Sequence, residues 1–169
     1  MNKVADARDD VVYSNLAYIA PALVAPDPVT QAILAITGTA LCAGSAVYHA
    51  TYTRAGQSLD VSTMLTYVAS LACAVAAQWT PWAWAVLPVA ATGYWMYPWR
   101  VDSYVHVPLW ALATLVMLSV QSGAWALLPG GFFLAGGIIK VRQPGADTVA
   151  HSWWHILGGA AGAAAMWVV

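Results

Sequence analysis

The chain has 169 residues, 61% of them hydrophobic and only 8% charged, where soluble domains carry about 25% charged residues. So much apolar surface exceeds what one soluble core of this size can bury, and it points to an integral membrane protein. A net charge of −1 and the lack of any basic tract give no support for nucleic-acid binding.

A hydrocarbon layer about 30 Å thick needs roughly 20 apolar residues of helix to cross it. The chain offers seven such stretches after a polar N-terminal segment, residues 1–10, so a single seven-helix transmembrane domain is expected over 11–169. The first stretch, 11–25, is short and carries Asn15 and Pro21. Pro26 and Pro28 break it, because proline lacks the N–H donor and restricts the residue before it. The second runs over 29–52 and the third over 58–78, after a turn containing Arg54 and Gly56. The fourth covers 82–98 and the fifth 103–121. The sixth, 124–141, contains Pro129 and two Gly-Gly pairs, and a kink there is tolerable. The seventh runs over 148–169, with Asp147 placed to cap it. Cys42 and Cys73 fall inside apolar stretches and read as small packing residues.

Seven crossings put Lys3, Arg8, Arg54, Arg100, Lys140 and Arg142, all the basic residues, on one side. Random assignment would do this in about 3% of cases, so the pattern supports both the count and a cytoplasmic N-terminus. Tyr97, Trp99, Tyr104, Trp153 and Trp154 lie near the basic face. Trp79, Trp82, Trp125 and Trp167 lie near the other, as interfacial anchors do. Trp153 and Trp154 are read first as anchors or packing residues, with a substrate groove as the other reading.

Polar residues inside such stretches are costly and therefore informative. His151 and His155 stand four apart, on one face of the last helix, as Ser45 and His49 do in the second. Asp60 lies just inside the third. Following the topology, all five fall about 5–12 Å below the basic face, so three helices contribute polar groups to one layer. Three histidines with an open position form a catalytic zinc pattern. A nearby carboxylate suits proton transfer, which fits Asp60. A hydroxyl can orient the nucleophile or stabilise an oxyanion, which fits Ser45. Each imidazole also needs a partner for its other nitrogen, and Ser152 or Asp60 can serve. Taken singly, Ser45 reads as a backbone-bonded serine and Asp60 as an N-cap. His106 has no partner at helical spacing and reads as interfacial. The last helix has no lysine for retinal. Two histidines on one face do not suit bis-histidine haem, and one aspartate is too few for a di-iron carboxylate site.

Ser45-x3-His49, Asp60 eleven residues on, and His151-x3-His155 in the last helix resemble the CREST superfamily of seven-helix membrane zinc proteins. That group includes alkaline ceramidases, adiponectin and progestin receptors, hemolysin III-type, Per1 and myomaker-like proteins. The resemblance implies a zinc ion held by His49, His151 and His155, with Ser45 and Asp60 beside it through water. It implies a barrel-like bundle with a lipid-accessible cavity. In the ceramidase branch it implies hydrolysis of a lipid amide, with ceramide or a related acyl lipid as the substrate. The His49-to-Asp60 spacing is similar to that of the ceramidases. The short loops suggest a prokaryotic member in the plasma membrane. The alternative is a receptor-like, structural or membrane-remodelling protein whose zinc only staples the bundle. Gly158-x3-Gly162 is expected to seat another helix of the same bundle.

Overall fold

The computed structural model describes residues 9–142 and 149–169. Lys3, Arg8 and Asp147, which entered the sequence reading, lie outside the described residues. Among the described residues the chain is helical throughout, with no strand. The helices are α1 (Asp9–Ser14), α2 (Ala20–Val24), α3 (Pro28–Thr51), α4 (Arg54–Ala77), α5 (Val86–Met96), α6 (Ser103–Ser122), α7 (Leu127–Arg142) and α8 (Val149–Val168). Short 3₁₀ turns join α1 to α2 (Asn15–Ile19), lead into α5 (Pro81–Ala85) and lead into α7 (Gly123–Ala126). The expected first stretch is thus α1 through α2, and α3 to α8 follow the other six in order.

Three helical stretches are long and apolar enough to cross a membrane: Pro28–Thr51, Arg54–Ala77 and Ser103–Arg142. The last is not one straight rod. Gly123 between α6 and α7 has φ 58°, which ends α6 and turns the chain.

Local chemistry explains the boundaries. Asp27 caps α3, its carboxylate accepting from the N–H groups of Val29 and Thr30 at 3.0 Å each and from the Thr30 hydroxyl at 2.6 Å. Pro28 fills the first helical position, where a missing N–H costs nothing. Tyr52 closes α3 in the left-handed region, and Thr53 immediately caps α4 by accepting from the Gly56 N–H at 3.1 Å. α4 therefore starts at Arg54, one turn earlier than the sequence suggests. The Arg54–Gly56 stretch expected as a turn is its first helical turn, and Asp60 is not an N-cap.

The 3₁₀ stretch before α2 also has a cause. In a regular α-helix the Ala17 carbonyl would receive the N–H of residue 21, but that residue is proline. The Ala20 N–H takes the carbonyl instead, one residue tighter. Pro129 lies in the first turn of α7, so it does not kink the helix interior.

The apolar core gathers at one end of the bundle, where Leu34, Ala74, Val75, Leu118, Ala165 and Met166 pack together. Ser45 and His49 of α3, Asp60 of α4 and His151 and His155 of α8 gather toward the other end. Gly158 and Gly162 do seat a bundle partner: a methyl at Gly158 would meet the Tyr18 ring at 3.1 Å, and one at Gly162 would meet Pro21 at 2.8 Å. The cysteines are free, and the Cys42 thiol donates to the Asn15 carbonyl at 2.9 Å. Trp79, Trp82, Trp99, Trp125, Trp153 and Trp167 all expose half or more of their surface.

Candidate metal centre

Two close backbone approaches build the site. At Gly44 a methyl group would stand 2.7 Å from the Thr63 hydroxyl and 3.2 Å from the Leu59 carbonyl. Glycine there lets α3 lie directly against α4 and brings Ser45 to Asp60. At Gly159 a methyl group would overlap the Ala17 carbonyl. Glycine there lets α8 rest on the 3₁₀ turn after α1 and brings His155 to the first segment.

His49, His151 and His155 converge. Each offers a ring nitrogen, and these atoms lie within 4.8 Å of one another, with all three side chains buried. The ring centroids are 4.8 Å apart for His49–His151, 5.8 Å for His49–His155 and 4.5 Å for His151–His155. His49 is completely enclosed, and neither of its ring nitrogens has a hydrogen-bond partner. A buried imidazole with both nitrogens unsatisfied is costly, because each lost its hydration without replacement. A cation between the three rings would take the His49 lone pair and remove the share of that cost that falls on one nitrogen. Three imidazoles suit zinc, and also copper, iron and nickel. The group can hold a metal ion and does not by itself fix which one.

The other predicted residues fall beside this trio. Ser45 is buried on α3, one turn before His49, and its hydroxyl lies within hydrogen-bonding reach of the Asp60 carboxyl group. Asp60 is half-buried on α4. Ser45, Asp60, His151 and His155 line one cavity of about 400 Å³, a size in the range of small-molecule sites. A narrower apolar pocket of about 80 Å³ adjoins it, and Tyr18, Leu41, Met64, Val107, Phe133 and Trp154 line both. His106 stays outside the trio, its ring edge-on to Tyr94 at 5.8 Å.

Two residues that the sequence did not single out for the site belong to it. Ser14, on α1, lies 2.9 Å from His155 Nδ1. It supplies one such partner, for His155, in addition to the Ser152 and Asp60 that the sequence offered. Lys140, assigned from sequence to the basic face, lies in the last turn of α7, lines the cavity and hydrogen-bonds His151 Nδ1. The tryptophan pair divides. Trp153 is half exposed, as an anchor should be, whereas Trp154 turns inward, packs on Phe133 at 6.0 Å and lines the cavity. For Trp154 the packing reading and the groove reading therefore coincide, since the ring both packs on Phe133 and lines the cavity.

No family model, curated protein or solved structure matches the chain.

Proposed function

We propose that the chain is a seven-span membrane hydrolase that holds zinc through His49, His151 and His155 and cleaves the amide bond of an acyl lipid, as its resemblance to the CREST superfamily implies. The observation that carries the proposal is the enclosed three-histidine group opening onto a cavity that also holds a carboxylate and a hydroxyl.

Zinc in such a group supplies a Lewis acid that polarises an acyl carbonyl and makes water more acidic. Asp60 accepts the proton of the attacking water and passes it to the departing nitrogen. The water oxygen bonds to the acyl carbon, the C–N bond breaks, and a fatty acid and an amine result. Ser45 donates its one hydroxyl hydrogen to Asp60 and keeps that carboxylate oriented; once Asp60 has taken the proton, the same hydrogen is free to turn to the developing negative charge on the acyl oxygen. The adjoining apolar pocket suits the acyl chain.

The seven-span topology has support of its own. The stretch Ser103–Arg142 is 40 residues long, about 60 Å of helix and twice the hydrocarbon thickness, so its break at Gly123 suits a return across the bilayer. A cytoplasmic N-terminus then leaves Arg54, Arg100, Lys140 and Arg142 toward the cytoplasmic side, as the positive-inside rule favours.

The test is turnover of ceramide, lysolipid and diacyl-lipid panels by purified protein, compared with His151→Ala and Asp60→Asn. Turnover by the parent chain alone supports the proposal. Equal turnover by all three removes it. The full burial of His49 of α3 against His151 and His155 of α8 favours a second reading, a zinc that only staples helices. Stoichiometric zinc with strong stabilisation and no lipid turnover is the result that selects it.

A further inference from the structure

We propose that the lipid taken by this cavity carries an anionic group, a carboxylate or a phosphate, and that Lys140 binds it; the inference rests on the zinc reading of the same site. The argument starts from what a lysine and a neutral imidazole can each do. The Lys140 ammonium has three donors and no acceptor, so in its hydrogen bond with His151 the ring Nδ1 must be the acceptor. A neutral imidazole has one lone pair. If zinc takes it at Nδ1, the ammonium loses its acceptor. If zinc takes Nε2, the ring proton moves to Nδ1, which becomes a donor. Either way, loading the histidines displaces Lys140 from His151 while its stem stays on α7 at the cavity wall.

The displaced ammonium then sits half-buried in a cavity whose other charges are unequal. Zinc brings two positive charges and Lys140 one. Among the described side chains lining the cavity, Asp60 brings the single negative charge, and even with its attraction to Lys140 counted the sum stays positive by two. An excess of positive charge in an enclosed, partly apolar space is costly, because attraction and repulsion are both stronger there than in water. An anionic group on the ligand offsets it, and a neutral amide does not. Neutral hydrogen-bonding groups of Gln57, Ser103 and Tyr104 also line the cavity. They can bind the remaining oxygens of a carboxylate or phosphate without adding charge. The residue thus acts on specificity: it selects lipids in which an acid group lies within a few bonds of the acyl amide.

The test reads binding rather than turnover. The 169-residue protein in lipid nanodiscs, loaded with zinc, is titrated with three amphiphiles of one chain length: N-dodecanoylglycine, dodecyl phosphate and N-dodecanoylethanolamine. Lys140→Gln and Lys140→Arg are titrated in parallel, and zinc content is measured on every sample. We expect at least one anionic amphiphile to bind about tenfold or more tighter than the ethanolamide, as a charge-assisted hydrogen bond warrants. The glycine and phosphate arms distinguish the two sources of the anion. The preference disappears in Lys140→Gln and persists in Lys140→Arg, with zinc content equal in all three. Zinc-loaded parent protein that binds anionic and neutral amphiphiles alike overturns the proposal. So does a preference that survives Lys140→Gln. Failure to take up zinc is a different result: it removes the reading of the metal centre itself.

Discussion

Ser14 engages the Nδ1 side of His155. Its hydroxyl lies 2.9 Å from the Val11 carbonyl and 2.9 Å from His155 Nδ1, so a hydrogen bond occupies Nδ1 and holds the ring in place. Nε2 is the nitrogen left to face a metal. Ser14→Ala should therefore weaken metal binding about 10- to 100-fold, measured by competition with a chelator of known affinity; unchanged affinity would deny Ser14 its positioning role. Asp60→Asn keeps the shape of the side chain but cannot accept the proton. It should lower lipid turnover by about 10²- to 10⁴-fold while zinc content stays the same. Sequence spacing alone brought out Ser45, His49, Asp60, His151 and His155, because i, i+4 pairs and shared depth are written in the order of residues. Ser14 was not legible, since it meets His155 across 141 positions of sequence from an irregular first segment. Lys140 was hidden by its position: a lysine at the end of an apolar helix also fits the positive-inside pattern.

At the scale of elements, the site depends on contacts without side chains. α8 reaches the first segment only because Gly159 has no Cβ to overlap the Ala17 carbonyl. Gly159→Ala should cost about 1–3 kcal/mol of stability through overpacking, seen as a lower unfolding midpoint, and should loosen metal binding because His155 is one turn away. A midpoint equal to that of the parent chain would show that the contact is not tight. The start of α3 gives a pH-dependent check away from the membrane interior. The Thr30 hydroxyl, its backbone N–H and the Val29 N–H hold the Asp27 carboxyl below the usual carboxylate range. A lowered folded pKa means the stabilisation is complete above the unfolded value near 4. It is lost as pH falls through the folded value. Thermal midpoints of Asp27→Ala should lie below those of the parent at neutral pH, by about 1 kcal/mol of stability. The two should converge below pH 4; a constant gap across that window would contradict the cap. Asp27-Pro28 was readable as a break from the prolines, but the early start of α4 was not. It depends on Tyr52 adopting φ 47° and on Thr53 capping at once, and neither is a strong sequence signal.

For the whole molecule, the helical runs and the polar layer at one end agree with the sequence reading, and the cavity adds what spacing cannot supply. Hydrophobic stretches announce helices, because each must be long enough for hydrocarbon and free of unpaired backbone groups. How those helices pack, and what space they leave, depends on side-chain shape. Phe133 and Trp154 line both the polar cavity and its apolar extension for that reason. A metal ion held by α3 and α8 would tie together segments about a hundred residues apart, His49 and His151. Ligands that bind only the folded state stabilise it. Chelation should therefore lower the thermal midpoint of the parent chain and leave that of a His49→Ala, His151→Ala, His155→Ala variant unmoved. The most direct measurement is elemental analysis of protein purified without added metal, for the parent and for that triple variant. The account predicts about one zinc per parent chain and none in the variant, as a three-imidazole site of this kind requires. A parent chain without zinc, or a variant that retains it, would contradict the account.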